Sequence, residues 1–295
     1  MVVHVSRSFF NQVWPFSLCL SFAAKKPRMS ALIELFKHPF TGEFSSTRYL
    51  KAGGEVLAIL MVSSWIVTYF YNPDAIASNP LKRRLGYNNF CVGFDTLPAR
   101  YVAQFLWPLT SYFSIRFAWL ETVTELSLDA KYSSCMAKFL TAAGCGLFVV
   151  SSLAQPFLLV FPPAEENGGV YVHTVFFIQY VLVRLFVIAV QFFRNSCDGS
   201  TDDANHITTG QWRWFYVYTI SSIAFPAMVF ADYIYFDFYK PATAPEEQIL
   251  IPWYICNAMD LSWFACLGLS TRFLPNQRSF RADVFNKNVQ AAAKI

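Results

Sequence analysis

Six apolar runs, each close to the length of a bilayer crossing, restrict this chain to folds that satisfy their backbone polar groups without water. A hydrocarbon core of about 30 Å takes roughly 20 helical residues at 1.5 Å rise each. The runs are Val56 to Pro73, Tyr101 to Leu120, Phe139 to Phe161, Val170 to Phe193, Trp214 to Ala231 and Ile249 to Thr271. Lipid offers no partner to a free N–H or C=O, so each run is expected to be a helix. The expected fold class is an all-α integral membrane protein with six transmembrane helices and both termini cytoplasmic.

The orientation follows from the basic residues, which accumulate on the cytoplasmic side of membrane proteins. With the amino terminus inside, the outer segments hold Lys82, Arg83, Arg84, Arg100 and Lys240, and the spans hold Arg116 and Arg184. The remaining sixteen of the 23 lysines and arginines fall inside. This distribution accounts for the net charge of +4 without an acidic polymer as partner, and no nucleic-acid contact is expected. The Lys82 to Arg84 cluster is the one contrary signal.

With 55% hydrophobic and 14% charged residues, the chain has no material for a soluble domain of ordinary size. It divides into a cytoplasmic tail over 1–51, a six-helix domain over 52–275 and a second cytoplasmic tail over 276–295. Val13 to Ala24 resembles a weak signal peptide, but Pro15 and Ser17 interrupt it and Met29 offers an alternative start, so a cytoplasmic tail is expected. The segment from Asp74 to Arg100 lacks the apolar periodicity to build a core of its own.

Seven cysteines show no C-x-x-C spacing, and four histidines, His4, His38, His173 and His206, are too scattered for a metal or haem site. No cofactor is expected. Nucleophile elbow, zinc helix and phosphate-binding glycine loop are all missing from the sequence. Polar chemistry must therefore come from isolated groups inside the spans.

In the fourth run His173, Tyr180, Arg184 and Gln191 follow at intervals of seven, four and seven, which places all four on one helical face. Ionised groups at membrane depth cost from about 2.5 kcal/mol upward and turn inward to a partner or to water. In the sixth run Asn257 and Asp260 share a face, and Asp260 is the twelfth of 23 residues, near the midplane. An ion pair between Arg184 and Asp260 is expected, serving either helix packing or a polar headgroup. Arg116 is expected to snorkel, and Asp232 to sit in an aromatic belt with Tyr233, Tyr235 and Phe236. Pro108, Pro156 and Pro226 should kink their helices. Ala142, Ala143, Gly144 and Gly146 form a small-residue face suited to close packing.

The stretch Phe90-Cys-Val-Gly-Phe-Asp-Thr-Leu-Pro98-Ala-Arg100-Tyr101 runs straight into the second span. It resembles the loop of the six-helix membrane family that includes the damage-regulated autophagy modulators and the post-GPI-attachment-to-proteins factors. Pro98, Arg100 and Tyr101 match that family's proline, arginine and aromatic before the second helix, and Gln155-Pro-Phe, His173 and Gln191 follow its pattern. The Pro-x-Arg-Tyr order and the paired intracellular termini are similar to the post-GPI-attachment branch. The chain departs from the pattern in its long amino-terminal tail and its Lys82-Arg83-Arg84 run.

The resemblance implies a Golgi or endoplasmic-reticulum protein that remodels GPI-anchor lipid, with membrane lipids as partners and no catalytic residue to carry over. Arg100 could meet a lipid phosphate, pair with Asp95, or anchor its helix at the headgroups. The alternatives are a scaffold that modulates autophagy or recruits a lipid kinase, as other relatives do, and a small-solute transporter. Oligomeric state is left open.

Overall fold

The computed structural model describes residues 43–85, 87–128, 133–161, 163, 169–197, 207–235, 253–275 and 280–281. The expectations for Val13 to Ala24, Met29, His4, His38, His206 and the Asp232 side chain lie outside the described residues.

Six long helices dominate, named with the short ones in chain order: α1 (Ser46–Tyr71), α2 (Pro73–Ala77), α3 (Pro80–Leu85), α4 (Ala99–Ser127), α5 (Cys135–Ala154), α6 (Gly169–Cys197), α7 (Thr209–Tyr233) and α8 (Trp253–Phe273). Two 3-10 turns, Phe90–Phe94 and Gln155–Leu159, accompany them. Each long helix packs beside the next in sequence, and α8 returns to α1, so the six close into a ring. The two ends of the described chain meet in a two-residue antiparallel pair, β1 (Glu43–Phe44) with β2 (Phe280–Arg281). This side of the ring is the tail end. The opposite side, covered by residues 72–98, is the loop end.

The outer surface of the ring is apolar: Phe70, Phe105, Phe139, Val150 and Ile220 are each more than 60% exposed. Water would penalise so many exposed large apolar side chains, whereas lipid does not. Four helical segments, Ser46–Tyr71, Cys135–Leu159, Val170–Ser196 and Thr209–Ala231, are long and apolar enough to cross a membrane. Where the second and sixth spans are expected the structure has helices α4 and α8, which do not reach that apolarity. The cause is composition: α4 carries Arg116, Glu121 and Glu125, and α8 carries Asn257, Asp260, Ser262 and Ser270.

Local sequence explains where the helices stop. The Thr208 hydroxyl accepts from the Gln211 N–H while the Gln211 side chain accepts from the Thr208 N–H, so α7 opens on a reciprocal cap. Pro156 ends α5 instead of kinking it, since a proline N cannot continue the ladder, and the chain tightens into the 3-10 turn. Pro108 and Pro226 stay inside unbroken α4 and α7. Of the small-residue face on α5, Gly144 makes the close approach. A Cβ there would lie 2.8 Å from the Phe186 ring of α6, while Gly146 faces open space.

The loop end is built inward. Leu81, Tyr87, Cys91, Val92 and Phe94 are all buried and join the core of the ring. Trp65 Nε1 donates to the Phe90 carbonyl at 3.0 Å, and the Thr68 hydroxyl donates to the Gly93 carbonyl at 2.6 Å. Phe94 meets Trp107 edge-on with centroids 5.4 Å apart. The segment is thus a plug held by α1 and α4, consistent with its inability to form a separate core.

Candidate functional site

Buried polar groups occupy three levels of the ring. At the loop end, Pro98 sits at the N-cap of α4 after a cis Leu97–Pro98 peptide. One Arg100 Nη donates to the backbone carbonyl of Asp95, and its Nε has no hydrogen-bond partner. Tyr101 points outward and is 63% exposed.

His173, fully buried near the start of α6, places Nδ1 2.7 Å from the Phe161 carbonyl and Nε2 3.4 Å from Asp95 Oδ1. A carbonyl only accepts, so Nδ1 carries the proton in the neutral ring and Nε2 presents a lone pair to Asp95. Burial pushes the Asp95 carboxyl well above the usual carboxylate range, against the pull of Arg100. A protonated Asp95 suits that lone pair, so the two residues can hold one proton between them. The arrangement offers a guanidinium edge and a proton-holding carboxyl–imidazole pair under an aromatic rim.

The middle level centres on Arg184, 1% exposed. Its Nη1 donates to the Tyr180 hydroxyl at 3.4 Å and its Nη2 to the Leu50 carbonyl of α1 at 3.1 Å. Tyr180 is itself fully buried and stacks on Phe148 at 5.7 Å. The expected ion pair with Asp260 is not formed. Asp260 Oδ2 instead accepts from Asn89 Nδ2 at 2.9 Å, beside the Tyr87 hydroxyl, under the plug. Asn257 is half-buried one turn before it.

The reason is register. Helix α8 is described from Trp253, so Asp260 is its eighth residue and lies toward the loop end. The guanidinium level is marked by Gly54, where a Cβ would stand 2.8 Å from Arg184 Nη2, 3.1 Å from Ser270 Oγ and 3.4 Å from the Leu267 carbonyl. Leu267 lies seven residues past Asp260, about 10 Å along the axis. Neutralising the two residues should therefore give additive losses. A double-mutant cycle of Arg184→Gln and Asp260→Asn, read by unfolding in micelles, is expected to show coupling below about 0.5 kcal/mol. A coupling of several times that would restore the ion pair.

The third level, at the tail end, went unnoticed in the sequence. Arg194 of α6 lies 2.8 Å from Glu121 Oε1 and 2.9 Å from Glu125 Oε2, with the carboxylates 2% and 3% exposed. Arg194 also donates to Thr141 Oγ1 at 3.2 Å, the Ser46 hydroxyl donates to Glu121 Oε2 at 2.5 Å, and Ser133 donates to Glu125. Gln191, 3% exposed, lines a small cleft with Glu121, Thr141 and Cys145, and its amide makes no hydrogen bond. The signal was the Glu121–Glu125 spacing. Two carboxylates four residues apart repel on an isolated helix, so their burial requires a cation from elsewhere. Arg116 meets the Tyr49 ring at 5.7 Å.

These features define a helical protein of the multi-pass membrane class with polar groups turned into its ring. No family model, curated protein or solved structure matches the chain. Among the described residues no cluster of histidine, cysteine, aspartate or glutamate could hold a metal ion.

Proposed function

We propose that the chain crosses the membrane six times with both termini cytoplasmic, and that its loop end handles the phosphate-bearing headgroup of a membrane lipid, specifically the lipid of GPI anchors in the Golgi or endoplasmic reticulum. The observation that carries the headgroup reading is Arg100. Its guanidinium is tied by one edge to the Asp95 carbonyl, its Nε lacks a partner, and exposed Tyr101 stands beside it at the rim. A fixed guanidinium of this kind suits a phosphate oxygen. The β1–β2 pair supports an even number of crossings, since it joins the two ends of the bundle. The GPI-anchor specificity rests on the resemblance carried by Pro98, Arg100 and Tyr101.

The test is deletion of the gene, followed by flow cytometry for GPI-anchored proteins and blotting of the medium for shed forms. A selective fall at the surface, with transmembrane controls unchanged, is the expected result. Arg100→Ala should fail to restore the surface level, and Arg100→Lys should restore it in part, because an ammonium meets phosphate as a point charge without the planar fork. Unchanged GPI-anchored proteins in the deletion would sink the reading.

A further inference from the structure

We propose that Arg116 holds the phosphate of a membrane phospholipid on the outer face of the ring at the tail end, beside the seam between α1 and α4. Helix α4 turns one stripe away from the ring: Tyr101, Phe105, Pro108, Tyr112 and Trp119, at helical spacing, are all exposed. Arg116 lies on this stripe, four residues after Tyr112 and three before Trp119, and is half-buried. Its charge therefore faces what surrounds the ring and not the interior. Arg116 is sixteen residues past Arg100. That is about 24 Å along α4, so across a hydrocarbon layer of about 30 Å it approaches the boundary opposite the loop end.

The guanidinium is fixed but not neutralised. It stands over the Tyr49 ring of α1 at 5.7 Å, and Tyr49 leans on Phe113 of α4 with centroids 6.3 Å apart. A ring face holds a cation in place without supplying a full counter-charge. Among the described residues no hydrogen bond or ion pair reaches the guanidinium, and its buried Nε is unpartnered. The next carboxylates along α4, Glu121 and Glu125, are turned into the ring and occupied by Arg194. An uncompensated cation at membrane depth calls for an anion. On a face of exposed apolar side chains at the headgroup boundary, that anion is a phosphate that carries acyl chains. Exposed Trp119, on the tail side of Arg116, suits the headgroup layer, while Tyr112, Pro108 and Phe105 give the chains an apolar track toward the middle of the membrane. The guanidinium offers the phosphate two parallel N–H donors. The site rests on α4 crossing the membrane. It lies at the opposite boundary from Arg100 and is independent of the loop-end reading.

The experiment melts the purified full chain in uncharged detergent, at constant ionic strength, with increasing dioctanoyl phosphatidic acid. Dioctanoylglycerol, with the same chains and no phosphate, and inorganic phosphate are the comparison ligands. A ligand that binds the folded state raises the melting temperature with saturation, and the phospholipid is expected to do so. Arg116→Gln is expected to move the phospholipid midpoint at least about fivefold upward through loss of the charge-assisted bonds. Arg116→Lys, which keeps a charge, is expected to fall between and carries the test if the glutamine variant does not fold. The same shifts are expected when every chain also carries Arg100→Ala, which removes any contribution of the loop end. A wild-type midpoint in both Arg116 variants overturns the proposal, as does equal stabilisation by dioctanoylglycerol. An equal response to inorganic phosphate overturns the lipid assignment.

Discussion

Replacing Arg194 by alanine is expected to cost the folded protein about 3–5 kcal/mol, the range for removing one partner of a buried charge cluster. The substitution leaves Glu121 and Glu125, both almost fully buried and four residues apart, without their shared cation. Two like charges would then face each other across one turn of α4, with hydroxyls from Ser46 and Ser133 as their remaining partners. The loss should appear as a large drop in melting temperature and in monodisperse yield from micelles. The decisive control is the triple change Arg194→Leu, Glu121→Gln, Glu125→Gln. It removes the charges together and should recover most of the stability, because neutral amides carry a far smaller desolvation penalty than ions. Failure of that rescue would mean that Arg194 supports the fold through packing of its stem.

The second large effect is expected at Gly93. A Cβ built there would lie 2.4 Å from Trp65 Cδ1, 2.7 Å from Nε1 and 2.8 Å from Cγ. Something must move, and the Trp65 ring is pinned by its bond to the Phe90 carbonyl. Overpacking of this kind costs about 1–3 kcal/mol, and loss of the Trp65 bond adds about 1 kcal/mol. Gly93→Ala should therefore loosen the plug while leaving the six-helix ring in place. Limited proteolysis reads this directly: cleavage within 72–98 should accelerate in the variant, with cuts elsewhere unchanged. Equal cleavage rates in the two proteins would show that the plug is not held at this contact.

Periodicity made one part of the interior legible in the sequence. A 3.6-residue repeat puts His173, Tyr180, Arg184 and Gln191 on one face, and all four are buried. Partnership between helices was not legible, since it depends on relative register, and Asp260 lies under the plug instead of at the level of Arg184. The two acidic residues of α4 were hidden for a different reason. Counting charges for orientation rewards basic residues and ignores carboxylates, so Arg194 counts among the inside basic residues without the groups it neutralises. The plug was invisible because its turn presents Cys91, Val92 and Phe94 through a 3-10 geometry, where neither helix nor strand periodicity applies.

Closure of the ring bears on synthesis. Among the described helices α1 is made first yet shares an interface with α8, which is made last: Thr271 donates to Glu55, and the Gly54 backbone lies against Leu267 and Ser270. Until α8 arrives, α1 lacks the neighbour that Glu55 and Gly54 meet in the finished ring. Truncation before α8 leaves α1 packed on α4 but without the neighbour that meets Gly54 and Glu55.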